Sequence, residues 1–141
     1  AKKKSSLDTI EIVSDYERSK YECEYFLQKN KNMWENINKR LKNELNDISH
    51  IIIWAGGIHT SQLLANTDLE FITAVDYVVD IDPQKENLQI EKYKIRNPES
   101  INFNDPTLGI VISSFEAEED IYKNIISKEN LKSKVIKLHN N

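Results

Sequence analysis

Apolar residues are patterned differently in the first third of the chain and in the rest. From residue 15 to 46 there is no Gly and no Pro. Cys23, Phe26, Leu27, Met33, Trp34, Ile37, Leu41 and Leu45 recur there at spacings that mix three, four and seven, among Lys, Glu and Asn. That is the period of a helix with one apolar face. The spacing predicts one long amphipathic helix over 15–46, or two with a break near Asn30, capped by Ser14 or Asp15. The apolar stripe packs on a core, or it serves as a dimer or interdomain contact. Residues 7–13 read as a short strand or a lead-in.

After Ser49 the pattern shortens. His50-Ile51-Ile52-Ile53-Trp54 reads as a buried parallel strand, apolar on both faces. Ala55-Gly56-Gly57 turns the chain, and a helix follows from Thr60 to about Asn66. Residues 71–75 form an apolar patch between elements. Tyr77-Val78-Val79-Asp80-Ile81-Asp82 reads as a second strand, stopped by Pro83. Tyr93-Lys94-Ile95 is a short third strand, followed by a turn with a helical start at 97–101. Residues 109–114 and 134–138 supply two more strands, with a helix over 116–126 between them. Strands alternating with helices imply βαβ units and a parallel sheet. The expected fold is a three-layer α/β domain, Rossmann-like, with about five strands after a long N-terminal helix. Residues 1–49 would form the helical extension and 50–141 the Rossmann-like domain.

Composition narrows the class. At 141 residues the chain has the size of one domain, and 30% charged residues suit a globular protein. The net charge of −4 argues against a nucleic-acid partner, which needs a basic face. No apolar run reaches the ~18 residues of a membrane span. The single Cys23 cannot form an internal disulfide, so a reducing, cytoplasmic setting is expected. Cys23 has no metal-ligand partner at useful spacing, and no metal is expected. The chain lacks an initiator Met and is expected to be a piece of a longer protein.

The candidate chemistry lies at the glycine turn. A dinucleotide fingerprint uses one Gly for the tight turn, a second for close phosphate approach and a third for helix–strand packing. The matching positions are Ala55, Gly57 and Thr60. What survives is the close-approach Gly57 and a helix N-terminus that favours an anion. The bland alternative is a turn that needs Gly only for its dihedral angles. Gly56, Gly57, His59, Thr60 and Ser61 are the candidate contacts here. Asp80 and Asp82 end the second strand, where an acid bonds ribose hydroxyls in dinucleotide enzymes, or merely caps a turn. Ser113 and Ser114 follow the fourth strand at the same carboxyl edge. Glu116, Glu118 and Glu119 start the next helix, where its dipole favours acids without any function. His50 and His139 belong to opposite ends of the sheet, so no histidine cluster is expected.

The run Ile51-Ile52-Ile53-Trp54-Ala55-Gly56-Gly57-Ile58-His59-Thr60, then Leu63-Leu64, then Val75-Asp76-Tyr77-Val78-Val79-Asp80-Ile81-Asp82-Pro83-Gln84-Lys85, resembles the C-terminal domain of sugar C-methyltransferases. The piece Ile95-Arg96-Asn97-Pro98-Glu99 and the helical Glu119-Asp120-Ile121 continue the resemblance to about residue 138. The layout is also similar to nucleotide-binding domains of sugar acyltransferases and related enzymes. The chain departs from the pattern at Ala55, where the turn's first Gly belongs, and at Asp82, where Asn is common. The resemblance implies an accessory, non-catalytic domain of a sugar-modifying transferase that binds a nucleotide or nucleotide-sugar. Two other readings stay open. One is an enzyme using S-adenosylmethionine or NAD along Gly56, Gly57 and Asp80. The other is a helix-mediated interaction module with a vestigial turn.

Overall fold

The computed structural model describes the backbone of residues 6–140 and the side chains of residues 15–140. The first element, α1, is one unbroken helix over Ser6–Glu44. It does not break at Asn30, and it starts well before Ser14. The expected strand at 7–13 is therefore helix. Leu7, Ile10 and Val13 stand three apart, a helical step that their β-branched neighbours disguise. Lys42 lies in the last turn, where the helix dipole favours a cation.

The chain divides into two compact units, residues 1–34 and 35–141. The boundary between them falls inside α1. From Ser6 to Trp34 the first unit is helix, with Tyr16, Tyr21, Tyr25, Phe26 and Leu27 exposed. In the second unit Ile37 and Leu41 are buried, as is Leu45 just after the helix, so the last turns of α1 belong to its core.

The second unit continues with β1 (His50–Trp54), α2 (Ile58–Asn66), α3 (Leu69–Ile72) and β2 (Ala74–Val79). Then come β3 (Gln89–Ile90), β4 (Tyr93–Arg96), β5 (Leu108–Ile112), α4 (Glu118–Ile126) and β6 (Lys134–Lys137). The six strands form one sheet in the order β3-β4-β2-β1-β5-β6. All pairs are parallel except β3–β4, a short antiparallel hairpin. That hairpin supplies the sixth strand, beyond the five expected. The second strand begins at Ala74 rather than Tyr77, which leaves Asp80 and Asp82 beyond its end.

Burial follows the sheet order. Every residue of β5 is buried, as are four of the five in β1, because both strands are central and covered on both faces. Alternate residues serve alternate faces. Ile52, Trp54, Ile110 and Ile112 form one core layer with Ile101 and Ile125. On the other face Gly109 lies under Ile48, Ile51 and Leu45, so close that a Cβ there would meet them at 3.1–3.3 Å. Helix α4 and the end of α1 thus lie on opposite faces, and the unit has three layers. The connections β1–α2–β2 and β5–α4–β6 run outward in opposite directions across the sheet. Right-handed crossovers then place α2 and α4 on opposite faces as well.

At the amino edge of the sheet, His50 links three segments. Its Nδ1 bonds Asp76 at the start of β2, and its Nε2 meets Asp105 at 3.1 Å in the loop before β5. The bond with Asp76 raises the His50 pKa, against partial burial, and Asp105 adds to the rise. This cluster is scaffold, at the end of the sheet away from the glycine turn.

Candidate functional site

Strand β1 has β2 on one side and β5 on the other; the connection after β1 runs to β2, and the connection after β5 runs the opposite way to β6. The crevice outside the carboxyl ends of β1 and β5 is therefore a topological switch point, where open parallel sheets take ligands. The glycine turn lies there.

Its three small positions have separate duties. Ala55 holds a φ of +102°, a backbone conformation natural to Gly and strained for Ala. Its N–H donates to Val79 O at 2.8 Å, which ties the turn to β2. Gly56 is pinned from the side. Its N–H donates to Asp80 Oδ2 at 2.8 Å, and a Cβ there would stand 2.9 Å from Ile95 Cδ1. At Gly57 a Cβ would meet nothing within 4 Å. Gly57 is the N-cap residue of α2, and no side chain caps that end. The helix thus starts with backbone N–H groups that lack intrahelical partners beside an open space.

Asp80 is a clamp for this turn. One oxygen takes the Gly56 N–H, and the other accepts the Asp82 N–H at 2.9 Å. Lys85 stands 3.5 Å away. Burial pushes the Asp80 pKa up. The two backbone N–H bonds and Lys85 outweigh it, so the net shift is down and the group is a carboxylate. Asp82 in turn accepts the Gln84 N–H at 3.0 Å and caps the 3₁₀ turn Pro83–Lys85. Both acids therefore shape the loop after β2, with Asp80 bonded directly to the glycine turn.

On the β5 side the side chains form an ordered chain. Thr60 is fully buried and has one hydroxyl proton, with Ala55 O and Ser113 Oγ both in reach. A carbonyl cannot donate, so the Thr60 proton goes to Ala55 O. Ser113, 2.9 Å from Thr60, must then give its own proton to Thr60 Oγ1. His59 Nδ1 lies 2.8 Å from Ser113 Oγ and, by the same count, donates to it. That leaves His59 Nε2 as acceptor, and His139 Nε2 donates to it at 2.7 Å. Both rings are neutral in this arrangement. Burial, then the neighbouring His139, lowers the His59 pKa to about 4, although Glu118 opposes the shift. Burial lowers that of His139 as well.

A histidine pair therefore exists, contrary to expectation. His50 does lie at the far end, but His59 follows β1 and His139 follows β6, at the same carboxyl edge. The device that holds His139 in place is Glu118. Its carboxylate is wholly buried (0% exposed) and accepts N–H bonds from Leu138, His139 and Asn140 at 2.8–2.9 Å. The Asn140 side-chain amide adds a fourth bond at 2.8 Å. Glu118 is thus not a solvated acid answering the helix dipole. It straps residues 138–140 across the end of the sheet. Glu119 is half-exposed and pairs with Lys137 at 2.8 Å.

Of the nine candidate contacts, Gly56, Gly57, Asp80 and Asp82 meet on the β2 side of the turn. His59, Thr60 and Ser113 meet on the β5 side. Ser114 instead accepts the Ala117 N–H at 3.0 Å and shapes the approach to α4. Ser61 faces a groove of about 360 Å3 with Leu64, Ala65 and Glu70, away from the turn. Sequence reasoning missed His139 and Glu118. Exposed Ile58, Ile81 and Phe115 complete the edge, Ile58 at the start of α2 and the others from the loops after β2 and β5. No group of three or more metal-ligating side chains occurs among the described residues. No helix among them is long and apolar enough to cross a membrane.

Compared with known protein families, curated proteins and solved structures, the chain matches none.

Proposed function

We propose that this is a Rossmann-like, non-catalytic ligand-binding domain that takes a nucleotide or nucleotide-sugar with its phosphate at Gly57. The observation that carries the reading is the turn itself. Asp80 and the Thr60 hydroxyl hold its backbone, the uncapped start of α2 points N–H groups outward, and Gly57 leaves space for an anion. The residues with reactive side chains nearby are occupied by the scaffold. Ser113 is only 2% exposed, and Glu118 has all its bonds within the fold. That favours binding over catalysis, as in an accessory domain of a sugar-modifying transferase. An S-adenosylmethionine or NAD enzyme would use the same turn and is separated from this reading by ligand preference.

The test uses Gly57→Leu. The new side chain enters open space at a backbone conformation any residue adopts, so melting should change little. Isothermal titration with nucleoside diphosphates and nucleotide-sugars should show saturable binding that the variant loses. Binding that is equal in both proteins would refute the site. A response to S-adenosylmethionine or NAD alone would replace the accessory role by the enzyme reading.

The exposed aromatic residues Tyr16, Tyr21, Tyr25 and Phe26 on α1 favour a second role, helix-mediated assembly or interdomain contact. Light scattering of the wild type against Tyr21→Glu/Phe26→Glu decides it. A mass that falls to the monomer supports assembly, and a monomeric wild type removes the homodimer.

A further inference from the structure

Residues 97–107 carry the chain from β4 back across β2 and β1 to β5. They contain one 3₁₀ turn, Pro98–Ser100, where a parallel crossover usually carries an α-helix. Their Ile101 and Phe103 share a core layer with α4, so loop and helix cover the same face. An extended segment is thinner than a helix of about 10 Å diameter, and it covers less of the sheet. A cavity of about 310 Å3 remains between the loop and α4. This cavity lies on the face of the sheet, beside the switch-point crevice rather than inside it.

We infer that this cavity receives the base of the nucleotide. Four of its lining residues are apolar or aromatic, Trp54, Ile81, Pro98 and Phe103, and the charged Glu99 and Lys128 stand at its rim, with Lys128 Nζ 4.9 Å over the Phe103 ring. Ile81 is 78% exposed and forms the open side of the cavity. Amides stand among these walls at Asn97 and Asn124. Asn97 Oδ1 is taken by the Glu99 N–H at 2.9 Å, which leaves its NH2 group as donor. The Asn124 side chain has no hydrogen-bond partner among the described residues. A flat ring with two apolar faces and a polar edge matches this lining, whereas a sugar ring carries hydroxyls around its whole rim. The volume is at the small end of the ~300–1,000 Å3 of ligand sites, enough for one ring system. Two walls also adjoin the turn. Trp54 precedes Ala55, and Ile81 follows Asp80, whose carboxylate holds Gly56. The choice of a nucleobase among flat rings rests on the nucleotide reading of the turn.

Trp54 is one of two tryptophans and serves as the reporter once Trp34→Phe has silenced the other. The full chain with that change is titrated with adenosine, guanosine, cytidine and uridine, which carry no phosphate, and with methyl glucoside. At least one nucleoside should quench Trp54 saturably. Adding Ile81→Arg, which changes an exposed side chain and spares the core, should raise Kd about tenfold or more. No quenching by any nucleoside at millimolar concentration overturns the inference. Equal Kd values with and without Ile81→Arg overturn it too, as does quenching by the glucoside alone. Inorganic pyrophosphate titrated into Gly57→Leu and wild type reads the turn separately. Nucleoside quenching with no pyrophosphate binding keeps the cavity and removes the turn. Pyrophosphate binding without nucleoside quenching does the reverse.

Discussion

Ala55 occupies a glycine's conformation without a glycine's freedom. Its positive φ places Cβ against its own backbone, and neighbouring bonds from Val79, Thr60 and Asp80 hold it there. Ala55→Gly should therefore stabilise the fold by about 1 kcal/mol, read as a higher urea midpoint. A lower midpoint would show that the turn is not strained. His59 makes a different prediction at the same scale. Its folded pKa, about 4, lies below the ordinary 6.5. Between those values the unfolded chain binds a proton that the folded chain refuses, so stability falls as pH drops from about 6.5 to about 4. His59→Asn should flatten that part of the profile in a pH series of urea melts. His50 works in the opposite sense. Its pKa is raised, so its contribution is present below 6.5 and disappears as pH rises through the folded value. An unaltered acid limb in His59→Asn would contradict the neutral histidine pair.

At the scale of elements, the strap of residues 138–140 depends on one side chain. Glu118→Gln keeps one acceptor oxygen but turns an NH2 group towards backbone N–H donors. The expected loss is about 2–4 kcal/mol in urea unfolding, since a buried acceptor of several charge-assisted bonds is lost. Glu119→Gln removes only a half-exposed pair with Lys137 and should cost less than about 1 kcal/mol. Equal losses would mean that Glu118 is not the anchor. Helix α1 divides in the same way. Removing residues 1–32 should leave the melting transition of the core nearly unchanged, because the buried side chains Ile37, Leu41 and Leu45 remain. A chain that no longer melts cooperatively would show that the first unit supports the second.

These elements also show what the sequence could and could not reveal. β1 and β5 were legible because central strands of a parallel sheet are apolar on both faces and stand out as runs. The hairpin strand Gln89–Ile90 was not, since two residues carry no period. Residues 7–13 read as a short strand or a lead-in because β-branched Ile and Val favour strands locally, and only the longer helical context decides. The turn was legible through Gly56 and Gly57, but which glycine is packed and which is open depends on Ile95 across the sheet. Glu118 looked like an ordinary acid in a first helical turn. Its partners lie about twenty residues on, and nothing local announces them. His139 was nearer to reach: a residue after the last parallel strand shares an edge with one after the first.

For the molecule as a whole, the carboxyl edge of the sheet is held in shape from two sides. Asp80 sets the turn from one side, and the Thr60–Ser113–His59–His139 chain sets it from the other. Ile58, Ile81 and Phe115 surround it. The central claim is that phosphate meets the backbone at Gly57 and the start of α2. Amide-resolved NMR during titration with a nucleoside diphosphate tests it most directly. Saturable shifts of the Gly57 and Ile58 amide signals are expected, absent when Gly57→Leu is titrated. Unmoved signals at both positions, or the same shifts in the variant, would contradict it.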